Sequence, residues 1–301
     1  MKRSFSKGQW KLSGDFCSLI YLKFRKYQLN KIKSGGFFYR LKRLINRWLS
    51  AFGFNAQIFF LAWKGFFVST VDYLRFKRMA AKAGVATDIQ YNSPGFSDRY
   101  AGGGSASGQY FHQDLYVSRK IYERNPLKHV DVGSRIDGFV AHVASYRAVV
   151  VYDIRPIASS VQHIDFVQCD FMNGDSFLDS SCDSLSCLHA LEHFGLGRYG
   201  DPLDVKGHLI GFANMARILS VGGIFYLSVP IGPERVEFNG GRILAIATIV
   251  EMYQQLFDLI AFSYVDDEGD FYADITLDLN TIETNCNCWN GCGIFELRKI
   301  K

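Results

Sequence analysis

Residues 129–138 read HVDVGSRIDG, and the fold class turns on how this stretch is read. Val130 and Val132 have the alternation of a buried strand. Asp131 and Gly133 break it, and Ser134 to Gly138 form a short polar loop. Phe139, Val140, Val143 and Ala144 then recur at helical spacing. A strand, a glycine turn and a helix make the opening of a nucleotide-type pocket. Gly133 lacks a Cβ, so backbone can approach a ligand closely there, and the helix start beyond it offers free N–H groups to an anion. Taken alone, the stretch fits an ordinary strand-to-helix turn equally well. The residues downstream decide between the two.

Beyond the helix, strands and helices alternate. Strands are expected at His129–Val132, Ala148–Asp153, Asp165–Cys169, Ser184–Leu188 and Gly223–Val229. Helices are expected at Asp137–Ser145, Leu203–Ile218 and Leu244–Phe257. Two final strands, Leu259–Val265 and Ile294–Lys299, are expected to form an antiparallel, hairpin-like edge. Such alternation predicts an α/β, doubly wound, mostly parallel sheet covered on both faces. Upstream, Phe111–Glu123 has the pattern of a lead-in helix that ends before Asn125-Pro126.

The second strand, AVVVYD, ends in Asp153, 20 residues after Gly133. In a doubly wound sheet that position faces the ribose of a bound nucleoside; the competing reading is a plain turn aspartate before Ile154-Arg155-Pro156. The third strand ends in Cys169-Asp170-Phe171, where Asp170 is placed to bond an adenine amino group and Phe171 or Met172 to cover the ring. The fourth runs into LHALEHFGLGRYGDP, which gathers His189, Glu192, His193, Arg198 and Asp201 at the edge where open α/β sheets bind ligands. Packing alone does not account for so many titratable groups, although either histidine could simply brace the loop.

The 301 residues carry a net charge of +5, but the charge is unevenly placed. Residues 1–82 hold 18 Lys+Arg against 2 Asp+Glu, a net of +16, and the remainder is at −11. That asymmetry implies two regions with different partners. Residues 1–50 interleave basic and aromatic residues in what read as imperfect amphipathic helices. Ala51 to Val71 is the most apolar stretch, but Lys64 and Gly65 interrupt it, so a helix lying in a membrane interface suits it better than a span. Its basic flanks match an anionic surface; a basic arm packed on its own domain is the other reading. Nucleic acid also suits the arm, but no binding module is visible, and the acidic remainder repels phosphates. Asn92 to Gly108 reads as a linker or mobile segment. The resulting divisions are 1–90, a basic helical extension; 91–127, linker and lead-in helix; and 128–301, the main domain.

Seven cysteines in a chain of this length do not suggest a disulfide framework. Cys286, Cys288 and Cys292 have C-x-C-x3-C spacing, which is not that of a zinc ribbon, and no metal is assigned. No uncharged apolar segment comes after the first basic residues, so a cytoplasmic location is expected, with the basic arm at the inner membrane face.

In order, VDVGS, VVVYD, CDF, LHALEH and ILSVGGIFYLSVPIG resemble the class I S-adenosylmethionine-dependent methyltransferases. LHALEH followed by a helix and a glycine-pair turn into a strand is the most specific part. More narrowly, DVGSRIDGFVAH, ALEHFGLGRYGDPLD, SVPIGPERVEFNGGR and YVDDEGDF are similar to the DUF268 family, an uncharacterised methyltransferase-like group, over about residues 90–300. FGFN at 52–55 also resembles that family's upstream segment. The resemblance implies a Rossmann-like, seven-stranded sheet with S-adenosylmethionine as cofactor. It implies Asp131, Gly133 and Ser134 around the methionine part, Asp153 at the ribose, and Asp170 with Phe171 near the adenine. Ser134 and Ile136 stand where the usual loop has glycines. A nicotinamide dinucleotide fits less well, because only Gly133 and Gly138 approach its G-x-G-x-x-G fingerprint.

Methyl transfer to an oxygen or nitrogen acceptor needs alignment and, for a hydroxyl, a general base. His193 is the first candidate, His189 the second, and Glu192 their orienting partner. Arg198, Asn239 and Arg242 are candidates for the acceptor pocket. A small molecule or glycan precursor is the expected acceptor, which points to polysaccharide biosynthesis. The competing reading is a non-catalytic Rossmann-like module in a membrane-associated glycan-synthesis assembly. A third, an RNA methyltransferase anchored by the arm, meets the charge objection above.

Overall fold

The computed structural model describes residues 45, 48–174 and 179–301. The amphipathic helices expected within residues 1–50 lie outside the described residues except at 45 and 48–50. The chain divides into two units, Met1–Gly104 and Ser105–Lys301, each taken by itself below.

In the first unit, helix α1 spans Ala56–Lys82. Asn55 starts it: its side-chain oxygen accepts the Ile58 N–H at 3.0 Å, satisfying one of the four free donors at a helix start. Residues 91–100, within the expected linker, pack along this helix. Phe96 meets Phe66 edge to face at 5.3 Å, Arg99 pairs with Asp72, and the Tyr100 ring lies 5.0 Å from the Lys64 ammonium. Tyr91 stacks on Tyr73 at 4.8 Å. Gly65 is required here, because a Cβ would overlap the Phe96 carbonyl. Among the described residues, no helix is long and apolar enough to cross a membrane.

The second unit opens with α2, Gln109–Arg124. Strand β1 is His129–Val132, followed by a wide helical turn at Ile136–Val140 and the short α3, Ala141–Ala144. The regular helix expected at Asp137–Ser145 is therefore broken, because Gly138 takes non-helical angles. Strands β2, Val149–Asp153, and β3, Ile164–Gln168, come next, then β4, Cys182–Leu188. Helix α4, Gly207–Ile218, runs directly into β5, Leu219–Ile231. A small hairpin, β6 Arg235–Glu237 and β7 Gly241–Ile243, precedes α5, Ile246–Tyr253. Strands β8, Phe257–Val265, and β9, Phe271–Tyr272, then α6, Leu279–Thr284, and β10, Gly291–Lys299, complete the unit.

The main sheet has the order β3-β2-β1-β4-β5-β10-β8-β9. Strands β1 to β5 pair in parallel, and β10 runs antiparallel to both β5 and β8. This is the α/β, mostly parallel, Rossmann-like sheet expected, with two differences. It has eight strands rather than seven, because β9 adds a two-residue edge. The last two long strands do pair antiparallel, but as no hairpin edge: β10 inserts between β5 and β8, and α6 lies between β8 and β10 in sequence.

Side chains of period two explain the burial of both faces. On β5, Phe225, Leu227, Val229 and Ile231 join one core with Phe212 and Met215 of α4, while Ile224 and Tyr226 face the other. That second core holds Val117 and Ile121 of α2, Phe139, Val140 and Val143. Each fully buried large side chain contributes roughly 1.5–3 kcal/mol. Helix α2 is also tied across the sheet by charge, with Arg124 and Lys120 both reaching the buried Glu296 of β10.

Candidate active site

The carboxyl ends of β1, β2 and β4 meet at one rim, since these strands are parallel neighbours. Below that rim runs a buried hydrogen-bond chain. Ser184 donates to His129 Nδ1 at 2.8 Å, and His129 Nε2 donates to Ser186 Oγ at 3.2 Å. Ser186 in turn donates to Asp131 at 2.5 Å, so the roles along the chain are mutually consistent. Asp131 also accepts the Ser134 hydroxyl at 2.6 Å and the Ser134 N–H at 3.1 Å. Ser134 Oγ then accepts the Leu188 N–H at 3.1 Å, which fastens the first loop to the end of β4. Burial pushes the Asp131 carboxyl up to about 6, against the lowering effect of Ser134 and Ser186. Burial likewise pushes His129 down to about 3 and keeps it neutral.

Both glycines of the first loop make room for the chain itself. Gly133 has φ +72°, and a Cβ there would come within 2.8 Å of the Ala190 Cβ. A Cβ at Gly138 would come within 2.6 Å of Asp114 Oδ2.

At the end of β2, Asp153 is buried and closed on a neighbour. Arg155 donates from its backbone N–H at 2.8 Å and from Nε at 3.0 Å to one carboxylate oxygen, and from its terminal nitrogen at 2.6 Å to the other. The guanidinium also lies 4.6 Å from the centre of the Tyr199 ring. At the end of β3, Asp170 accepts the Met172 N–H at 2.9 Å, a local turn bond. Phe171 packs into the core, 5.7 Å from the Tyr152 ring, so it is no loose cover for a base.

After β4 the sequence-predicted acid and bases come together. Glu192 Oε1 accepts from His189 Nδ1 at 3.0 Å and lies 3.6 Å from His193 Nε2. Its other oxygen is buried without a hydrogen-bond partner among the described residues. His189 sits in the left-handed backbone region at φ +51°, a conformation costly for a residue with a Cβ. Among the described residues its Nε2 has no hydrogen bond of ordinary geometry, although Cys292 of β10 lies beside the ring. Burial opposes charge on His189, but Cys292 and Glu192 outweigh it and hold the histidine well above its ordinary value. His193 moves the other way: burial, aided by Arg198 and His189, lowers it despite Glu192. The two histidines thus share one carboxylate and are pushed in opposite directions, the pattern that separates acid from base roles.

The three residues expected in an acceptor pocket have different fates. Arg198 is exposed, bonds the Gly240 carbonyl and lies 3.5 Å from His193 Nδ1. Asn239 is exposed at the tip of the β6–β7 hairpin, with φ +59°. Arg242 is buried and turned inward: it donates to the carbonyls of Phe194 at 2.6 Å, Glu192 at 3.3 Å, and Asp204 and Val205 at 3.5 Å. It is a brace for the 192–205 loop, which carries Glu192 and His193.

Helix α2 brings further groups to the rim that no motif announces. Tyr110 lies 5.0 Å from the His189 ring, and Arg135 lies 5.2 Å from Tyr110. Gln113 accepts the Ser228 hydroxyl at 2.6 Å and donates to Asp114 at 3.0 Å. Burial raises the Asp114 carboxyl. One sequence signal does point to them: Gln113 and Asp114 fall on the same helical stripe as Val117 and Ile121, and polar groups on an apolar stripe need partners.

Residues 140–287 match the family described as Caenorhabditis protein of unknown function, DUF268, a shorter stretch than the 90–300 expected. No curated protein matches the chain. Among solved structures, it is similar to 1,6-didemethyltoxoflavin-N1-methyltransferase of Burkholderia thailandensis, with bound 1,6-didemethyltoxoflavin and S-adenosylhomocysteine. The identity is 14%, over 63% of this chain and 79% of that one, at a TM-score of 0.46. It is also similar to the N-methyltransferase NodS of Bradyrhizobium japonicum WM9 in complex with S-adenosylhomocysteine. Here the identity is 11%, over 64% of this chain and 89% of that one, at a TM-score of 0.44.

Proposed function

We propose, from the premise that residues 140–287 are a DUF268 region, that the chain is an S-adenosylmethionine-dependent methyltransferase. One observation supports this above all. Asp131 and Asp153 lie at or near the ends of adjacent parallel strands, with the positive-φ Gly133 between them in sequence, at the rim where such sheets bind nucleosides. The residues present suit an adenosyl ligand. Arg155 offers Asp153 parallel N–H donors, as a ribose diol offers paired hydroxyls, and its guanidinium is partly exposed, so a diol would take its place on the carboxylate. When bound, S-adenosylmethionine supplies an activated methyl group. Asp153 would hold its ribose, the Gly133–Ser134 turn its methionine end, and Asp170 its adenine edge.

The acceptor we infer is a hydroxyl or amine of a small molecule or glycan precursor. For a hydroxyl, His193 serves as the base, because its lowered pKa keeps it neutral near pH 7 and able to take a proton. Glu192, paired with His189, fixes the ring's surroundings, and Arg242 holds the loop that carries Glu192 and His193. Arg198 borders His193 on the exposed side, where an acceptor can approach.

A second reading has an observation in its favour. Asp131 and Asp153 are both saturated by neighbouring side chains, as in a Rossmann-like module that has given up its cofactor and serves a membrane-associated glycan-synthesis assembly. Calorimetry with S-adenosylhomocysteine separates the two. Binding that weakens at least about tenfold in Asp153→Ala, the loss of one charge-assisted contact, supports the methyltransferase. Absence of binding to the wild-type chain removes it and leaves the second reading.

A further inference from the structure

We infer that helix α1 is an interfacial anchor for anionic lipid bilayers, whatever the second unit catalyses. The helix has 27 residues and is about 40 Å long. Phe60, Trp63, Phe67, Val71 and Leu74 have the i, i+3, i+7, i+11, i+14 spacing that puts side chains on one helical stripe. All five are exposed, Phe60 by 69%, Trp63 by 59% and Phe67 by 52%. The opposite side of the helix is the one already covered. Gly65 meets the Phe96 backbone there, and Phe66, Asp72 and Tyr73 hold Phe96, Arg99 and Tyr91. The stripe is therefore the face left over after the described packing of the unit is complete.

The stripe runs into cations. Arg75, Arg78 and Lys82 line a shallow depression with Val71, Leu74 and Met79. None of the three cations forms a salt bridge among the described residues, whereas Asp72 is already paired with Arg99. An apolar stripe that ends in unpaired cations suits a surface with an acyl interior and anionic headgroups. Charge decides among occupants. Residues 1–82 carry a net +16, so a second copy of this unit, or the chain's own basic segment, would bring like charge to Arg75, Arg78 and Lys82. A nucleic acid would satisfy the cations but leave the Phe60–Leu74 stripe in water. Lys64 within the apolar run, and the failure of α1 to meet the needs of a span, put this helix in the plane of the interface rather than across it.

The test is co-sedimentation of the full chain with two kinds of vesicle: phosphatidylcholine alone, and phosphatidylcholine carrying phosphatidylserine at about 30 mol% to set a negative surface potential. Strong partitioning only to the anionic vesicles is expected. Each cation near such a surface strengthens partitioning about fivefold, so the triple variant Arg75→Gln, Arg78→Gln, Lys82→Gln should lose roughly a hundredfold. Phe60→Glu with Phe67→Glu should abolish binding while circular dichroism keeps the wild-type helix content. Equal binding to both vesicle types, unchanged binding of the Glu variant, or retention of RNA in place of vesicles overturns the inference. So does a dimer in light scattering that the Glu variant dissociates without any effect on vesicles.

Discussion

Asp131 gives the sharpest physical test, because its carboxyl is fully buried yet must hold three donors. Substitution to Asn keeps the shape and removes the ionisation. In the folded chain the carboxyl is raised from 3.8 to about 6, by burial first and by nearby Asp153 last. Between those two values the folded state keeps a proton that the unfolded state has released. Stability from this group is therefore full at low pH and falls as pH rises through the window. A rise of that size corresponds to about 3 kcal/mol. Urea denaturation of wild type and Asp131→Asn, followed by circular dichroism from pH 4 to 7, isolates the effect as a difference between the two curves. Measured against the Asn variant, wild type should lose about 2 kcal/mol of this over the measured range, most of it between pH 4 and 6. A difference that stays flat, or that grows in favour of wild type as pH rises, would mean that Ser134 and Ser186 stabilise the anion enough to overcome burial. The reasoning would then fail.

The loop after β4 yields two more expected outcomes. Arg242→Ala removes a guanidinium from four backbone carbonyls, so it should cost about 2–4 kcal/mol in urea denaturation; wild-type stability in the variant would show that water replaces the brace without loss. If His193 is the base, the acidic limb of kcat should lie below the ordinary histidine value of 6.5, because burial lowers the ring and activity is lost only when it protonates. A limb above 6.5 would assign the proton transfer to another group.

The sheet is legible in the sequence because its signal is local. AVVVYD and GIFYLSV are apolar runs bounded by turn residues, and in the structure they form β2 and the body of β5. The histidine pair is legible as a cluster for the same reason: residues 189–193 are close in sequence and need only one turn to share Glu192. Long-range contacts set the rest, and these leave little trace in local pattern. Arg155 reads as a loop residue until Asp153 is seen facing it, and Arg242 reads as a ligand for an acceptor until its distance from the 192–205 carbonyls is known. The part played by α2 is hidden because residues 91–127 read as a lead-in, although Gln113 bonds Ser228 from a distant part of the chain. The position of β10 is likewise beyond pattern reasoning, since an apolar strand at the end of a run does not say which neighbours it will part.

Strand β10 separates β5 from β8, although the ribosome makes it after both. While residues 266–290 are being added, the nascent chain carries the β5 and β8 edges with their shared neighbour still missing. Unpaired edges are templates for misassociation. Productive folding therefore waits on a late segment that closes the gap like a keystone, and a nascent chain stalled before Gly291 would be a natural client for chaperones.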